Sequence, residues 1–241
     1  MIVEHEYDIK LSEIGKTNKI TNKAILSCLE DIGGIHSNIA GNGILDIPKT
    51  HLTWVLLDWK LKIIRRPSYT EKIKIKTWSR RTIKCYSYRD FEIYDLQGML
   101  IGIATSKWVL VNIETGRIEK VEDSLISKYE PETGKTVFGE EDIEKIREPE
   151  QYLSEIEYQV KRIDIDVNNH MHNLNYIELA VEALPEEIYQ KEEFNNVRIT
   201  YKKEIKLGET VKCKYAYQNG NHIVVIKSED DKVLHAMIEF N

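Results

Sequence analysis

The chain has 241 residues, 31% of them charged and 41% hydrophobic, with a formal net charge of −6. That length accommodates one large domain or two of about 120 residues, each with a proper core. The composition excludes a disordered chain, the negative balance excludes a general nucleic-acid binder, and no apolar run approaches the ~20 residues of a membrane span. The opening residues Ile2-Val-Glu-His-Glu-Tyr7 show no basic segment leading into an apolar one, so no signal peptide is expected. Cys28, Cys85 and Cys213 are scattered without metal spacing, which fits a reducing compartment, and the expected location is cytoplasmic.

In chain order, Val3 to Ile9 reads as a short strand. Thr21 is placed to cap a helix whose buried face is Ile25, Leu29 and Ile32, with Ile20 and Ile25 as a hydrophobic staple and Gly33-Gly34 as the expected break. Extended segments follow at Thr50–Arg65, Lys72–Arg80, Tyr86–Tyr94 and Leu100–Asn112, with turns at Pro67–Glu71 and Asp95–Gly98. Residues 60–84 hold ten Lys or Arg against the single Glu71. Within them Lys72, Lys74 and Lys76 alternate with Ile73 and Ile75, the pattern of a strand with one solvated face. Residues 113–157 carry fourteen Asp or Glu against six Lys or Arg and little periodicity, and read as a linker region.

The second half repeats the order of the first. A strand at Ile156–Arg162 leads to a polar loop and a helix over Leu174–Leu184, stopped by Pro185. Strands then follow at Asn196–Glu204, Thr210–Gln218, His222–Ser228 and Lys232–Phe240, with Asn219-Gly220 as a hairpin turn. Thr70-Glu-Lys-Ile-Lys-Ile-Lys-Thr77 lines up with Gly208-Glu-Thr-Val-Lys-Cys-Lys-Tyr215, so an internal duplication of one helix plus one curled antiparallel sheet is expected. Two such sheets can pair edge to edge into a continuous one, removing two exposed edges.

The chemistry concentrates in Asp164-Ile-Asp-Val-Asn-Asn-His-Met-His-Asn-Leu-Asn175, which holds two carboxylates, two histidines and four amides ahead of a helix N-terminus. Asn173 is the expected cap, and the amides of residues 173–175 are candidate donors to a developing oxyanion. Taken singly, such residues are ordinary turn and cap formers. A calcium loop fails at Asn169 and Asn175, where glycine and glutamate are needed, and His170-x-His172 lacks a third zinc ligand.

The run from Arg162 to Ile177, the pair Leu184-Pro185 and the strand Thr200-Tyr-Lys-Lys-Glu204 resemble the acyl–acyl-carrier-protein thioesterases. The first half is similar more diffusely, at Trp54-Val55, Arg66-Pro67 and Thr77-Trp78. The resemblance implies an α+β tandem hot-dog fold: two antiparallel sheets, each wrapped around a central helix and joined into one continuous sheet. It also implies an N-terminal acyl-binding domain over 1–125, a linker over 126–154 and a catalytic domain over 155–241. By the same resemblance Asp166, Asn168, His170 and Glu204 are the catalytic set, and hydrolysis of fatty acyl-acyl carrier protein is the activity. No metal or cofactor is called for. Either Asp166 or Glu204 serves as the base for a water, or Asp166 attacks directly. A cysteine follows that glutamate in many plant members, whereas Ile205 stands here, which argues against a Cys-His nucleophile. Glu204 aligns with Arg66, and the equivalent first-half loop is Gly15-Lys-Thr-Asn-Lys19, so one site per chain is expected.

Trp54 and Leu29 are expected to line the acyl tunnel. Arg66 and Lys202, with Lys60, Lys62, Arg65 and Lys203, are expected to dock the acidic acyl carrier protein. No nucleic acid or membrane span is expected, and a homodimer is left open because the tandem chain already forms a pair. The alternatives are an acyl-coenzyme-A thioesterase and a non-catalytic acyl-binding hot-dog protein. Against the latter, a pure binder has no use for a buried Glu204.

Overall fold

The computed structural model describes residues 1–140, 142–191 and 193–241. They form two compact units, Met1–Ile143 and Glu144–Asn241. In the first unit the strands are β1 (Ile2–Asp8), β2 (Leu52–Ile63), β3 (Lys72–Ser79), β4 (Tyr86–Asp95), β5 (Leu100–Asn112) and β6 (Arg117–Glu119). They lie in the order β1-β3-β4-β5-β2, antiparallel, with β6 added to β5. Helix α1 (Asn22–Ile39) packs on this sheet, and two one-turn helices, α2 (Ile47–Thr50) and α3 (Asp123–Ile126), lie outside it. In the second unit β7 (Ser154–Gln159), β8 (Asn196–Tyr201), β9 (Thr210–Gln218), β10 (Asn221–Ser228) and β11 (Leu234–Phe240) run in the order β8-β11-β10-β9-β7 with helices α4 (Asn173–Glu182) and α5 (Glu186–Lys191). Each unit is one sheet and one central helix, the hot-dog arrangement, repeated in tandem.

Helix α1 starts as its sequence dictates: the Thr21 hydroxyl accepts the Ala24 N–H at 3.2 Å. Thr21→Ala is expected to cost about 1 kcal/mol in a urea-unfolding measurement. The helix does not break at Gly33-Gly34. The Arg89 side chain packs against it there, 3.6 Å from where a Cβ on Gly33 would lie, which is ordinary contact distance. The stop comes at Gly41, with φ +67°, where the N–H groups of Gly41 and Asn42 bond the carbonyls of Asn38 and Ser37 in the pattern of a Schellman cap. Ile25, Leu29 and Ile32 on α1 and Trp59, Trp78 and Phe91 on the sheet are all at most 2% exposed. Burial of each such side chain contributes on the order of 1.5–3 kcal/mol.

The lysines of β3 meet acidic partners in register on β1: Lys72 with Asp8, Lys74 with Glu6 and Lys76 with Glu4. That one-sign run is a solvated, paired sheet face.

Other expected boundaries shift by a few residues. The stretch expected to be extended from Thr50 begins as a strand at Leu52, after α2, and β7 ends at Gln159 before a 3₁₀ turn at Arg162–Asp164. Helix α4 ends at Glu182 and α5 follows Pro185. Strand β8 ends at Tyr201 because the next two amides turn to one carbonyl, His235 O, at 2.8 and 3.2 Å. Asn219 and Gly220 both have positive φ, as a two-residue hairpin turn requires.

Residues 130–140 are pinned along the first sheet. The Val137 N–H donates to Asp90, Lys135 pairs with Glu92, and Lys60 and Arg80 both bond Glu140.

Candidate active site

The two units build the same loop ahead of their central helices, offset by 151 residues. In the first, Ile14 and Ile20 bridge, Gly15 N–H donates to Lys19 O, Asn18 N–H donates to Gly15 O, and Asn18 has φ 61°. In the second, Ile165 and Met171 bridge, Asp166 N–H donates to His170 O, Asn169 N–H donates to Asp166 O, and Asn169 has φ 62°. The tie to the neighbouring segment also repeats, as Ile20 N–H to Pro67 O and as Met171 N–H to Ile205 O. The loop is therefore a property of the fold. Only its side chains differ: Gly15, Thr17, Lys19 and Arg66 in one copy stand where Asp166, Asn168, His170 and Glu204 stand in the other.

In the second unit Asp166 Oδ1 accepts the Asn168 backbone N–H at 2.8 Å, and the Asn168 side-chain amide lies 3.4 Å from Oδ2. His170 Nε2 stands 3.6 Å from Glu204 Oε1, an ion-pair separation too long for a formed hydrogen bond. Their side chains are 33% and 55% exposed, so Glu204 is open to solvent and not buried as expected. The loop following β8, which the sequence read as strand, lifts it out. Glu204 also lines a cleft of about 590 Å³ with Lys203, Lys206, Thr210, Ser228 and His235. Asp166, Asn168 and His170 are outside that lining.

Asp164, the other loop carboxylate, is structural. It is 8% exposed, its Oδ2 accepts the Tyr158 hydroxyl and the Lys161 N–H at 2.8 Å, and its carbonyl accepts the His172 N–H and the Asn175 amide. Burial, reinforced by that carboxylate, pushes the Tyr158 phenol up to about 12.

The helix cap is His172, where Asn173 was expected: its Nδ1 accepts the Leu174 N–H at 3.2 Å, the place Thr21 fills in the first unit. The Asn175 N–H donates to His172 O. Two of the three amides expected to meet an oxyanion are thus already engaged within the loop. With Nδ1 so used, His172 is no partner for His170 in a metal site, and among the described residues no group of three or more His, Cys, Asp or Glu is placed to hold a metal ion.

Sequence reasoning missed Tyr176. It is 2% exposed and packs edge-on against Tyr201. Burial holds its phenol well above the usual range; the Ile205 backbone opposes this, and the charges of Glu204, Glu209 and Asp166 add to it. A buried, protonated phenol thus feels the charge of both candidate carboxylates. Its helical spacing made it look like plain core.

Of the expected binding residues, Leu29 is wholly buried in the α1 core and the Trp54 indole donates to the Tyr129 hydroxyl at 2.9 Å. The Arg66 guanidinium is turned inward, donating to Ile20 O at 2.8 Å and Asn22 Oδ1 at 3.0 Å at the start of α1. That commits it to bracing the helix rather than to docking. In the second unit the helix start is braced differently, by the Tyr201 hydroxyl donating to Asn173 O at 3.1 Å. Lys60 is paired with Glu140 and Arg65 with Glu71 and Asp95, while Lys202 is exposed.

Comparison with known proteins decides the family. Residues 2–129 match the acyl-ACP thioesterase N-terminal domain and residues 147–241 its C-terminal domain. The chain belongs to the acyl-ACP thioesterase family. Among relatives of this thioesterase-family chain are the chloroplastic oleoyl-acyl carrier protein thioesterases of Coriandrum sativum and Arabidopsis thaliana. They are 30% and 29% identical over 224 residues, covering 86% of this chain and 60% and 62% of theirs. The chain thus spans about 60% of the length of these curated relatives. The crystal structure of an acyl-ACP thioesterase from Bacteroides thetaiotaomicron has a TM-score of 0.87 at 21% identity, covering 99% of this chain and 96% of that one, and shows the shared fold. No helix among the described residues is long and apolar enough to cross a membrane.

Proposed function

We propose that this family member hydrolyses the thioester of fatty acyl-acyl carrier protein, releasing the free fatty acid and ending chain elongation. The observation that carries the reading is the pair of matched loops: the same backbone occurs twice, and one copy alone carries Asp166, Asn168 and His170 facing Glu204. In this reading a carboxylate, Asp166 or Glu204, takes the proton of a water as its oxygen attacks the thioester carbonyl. The oxyanion then collapses, the C–S bond breaks, and the proton passes from the carboxylate through His170 to the leaving thiolate. The 3.6 Å separation of His170 and Glu204 leaves the two groups room to draw together around a substrate. The first unit, whose loop lacks carboxylates, is assigned the acyl chain, with Leu29 and Trp54 limiting its length.

The test is free-acid release from a panel of acyl-carrier thioesters, wild type beside Asp166→Asn and Glu204→Ala. Acyl binding without hydrolysis by the wild type would instead establish the non-catalytic alternative. Exposure of Glu204 removes one argument against that alternative. What opposes it is the restriction of the polar set to one of two identical loops.

The proposed partner is the acidic acyl carrier protein, docking on exposed Lys202 and Lys203. Lys202→Glu is expected to raise KM for a carrier-bound acyl group several-fold, roughly 1 kcal/mol, and to leave a small thioester little changed. Equal effects on both would count against docking there, and faster turnover of coenzyme-A thioesters at matched chain length would favour the coenzyme-A reading. Cys28, Cys85 and Cys213 are all free, in support of a reducing, cytoplasmic setting.

A further inference from the structure

We propose that His235 is a positioning residue for Glu204, an inference that rests on the catalytic assignment of Glu204 above. Strand β11 carries a β-bulge at this residue: Leu234 pairs with Lys227 and Ala236 with Ile226, leaving His235 as the extra residue. The first unit has the same bulge on β5, where Leu100 pairs with Tyr94 and Gly102 with Ile93, leaving Ile101. Both bulge carbonyls accept two successive N–H groups from the facing segment. Ile101 O accepts those of Ile64 and Arg65, and His235 O those of Lys202 and Lys203. Position by position, the residue after each pair is Arg66 in one unit and Glu204 in the other.

The backbone of this corner is therefore complete without an imidazole, since the first unit builds it around an isoleucine that is 1% exposed. The second unit spends a 5%-exposed site on a polar ring instead. The ring has one further bond: Nδ1 lies 3.1 Å from Lys203 O. A carbonyl only accepts, so Nδ1 carries the proton and donates. The peptide joining Lys203 to Glu204 is thus held from its own carbonyl, a tie the first unit lacks. His235 and Glu204 also line the same cleft. Bulges beside active sites commonly serve to aim a side chain. Here the bulge aims a ring at the peptide that carries the acid. Glu204 itself is 55% exposed, so the peptide that carries it is the better-held point from which to set its position.

The test compares His235→Ile, the side chain the first unit already accommodates, with His235→Asn, whose amide nitrogen can replace the Nδ1 donor. Turnover of an acyl-carrier thioester by His235→Ile is expected to fall about ten- to a hundred-fold, the scale of a misplacement near 1 Å, with KM within about twofold. His235→Asn should recover most of it. Wild-type turnover in His235→Ile, or an Asn variant as slow as the Ile variant while melting like wild type, would overturn the proposal. A crystal structure of His235→Ile gives a readout independent of activity. The Lys203–Glu204 segment should shift away from His170, and an unmoved segment refutes the idea. If the wild type releases no free acid, the assignment of function fails, and the structural comparison still decides whether His235 sets the position of Glu204.

Discussion

Asp166→Asn and Glu204→Ala are each expected to lower kcat for an acyl-carrier thioester by about 10²–10⁴-fold, the usual contribution of a positioned acid or base. The two changes are chosen to leave the fold intact. Asparagine keeps an oxygen where Asp166 Oδ1 accepts the Asn168 N–H, so the loop retains the bond that shapes it. Glu204 is more than half exposed, and surface truncations of this kind usually stay within about 0.5 kcal/mol. Loss of rate in either variant can therefore be read as loss of chemistry. The double variant should be little slower than the worse single one, because groups acting as a unit are not additive. A single turnover in ¹⁸O-water tests direct attack: label in the protein at Asp166 means an anhydride opened at the aspartyl carbonyl, whereas label only in the released acid means an activated water or an anhydride opened at the acyl carbonyl.

Arg80→Leu is expected to destabilise the first unit by about 3–5 kcal/mol at neutral pH, the cost of leaving a buried carboxylate without its counter-charge. Asp90 is fully buried on β4, 3.5 Å from Arg80, and its other oxygen accepts the Val137 N–H at 2.9 Å. Burial outweighs these partners and raises its pKa above the ordinary value. The sign follows. A carboxyl with a raised folded-state pKa binds its proton more tightly folded than unfolded, so its contribution improves as pH falls through the folded pKa toward the unfolded value of 3.8. Removing Arg80 raises that pKa further. The deficit of Arg80→Leu relative to wild type should thus shrink between pH 7 and pH 5, in urea unfolding followed at both. A deficit independent of pH would assign the loss to the packing of Arg80 on the Tyr88 ring.

The sequence exposed most of this fold because local signals agreed with the tertiary outcome. Thr21 caps, Asn219-Gly220 turns, and the β3 lysines alternate with isoleucines. It misled where a contact from elsewhere overrode a local rule. Gly33 reads as a break, yet the helix runs on past the Arg89 side chain; only the strand facing it could reveal that. Histidine is an uncommon cap, so the sequence points to Asn173, one residue beyond the actual cap His172. Strand β8 appears to continue to Glu204, because the carbonyl that ends it belongs to His235, over thirty residues away. Asp166, Asn168, His170 and Glu204 stand out through the family resemblance, and the first half carries none of them at the matching positions. Tyr176 and His235 do not, because a tyrosine at helical spacing and a histidine in an apolar strand look like core until their neighbours are known.

The two ways of securing the central helix have a consequence for which half of a duplicated protein can host a reaction. Where the first unit ties its helix with Arg66, any acid installed there would remove the tie that anchors Ile20 and Asn22. The second unit moves the same duty three residues upstream to Tyr201, which reaches Asn173. That relocation vacates the post opposite His170, and an unemployed position is free to evolve a new trade. The half with its strut on that corner holds a cation there; the half with the strut three residues upstream leaves the corner to an acid.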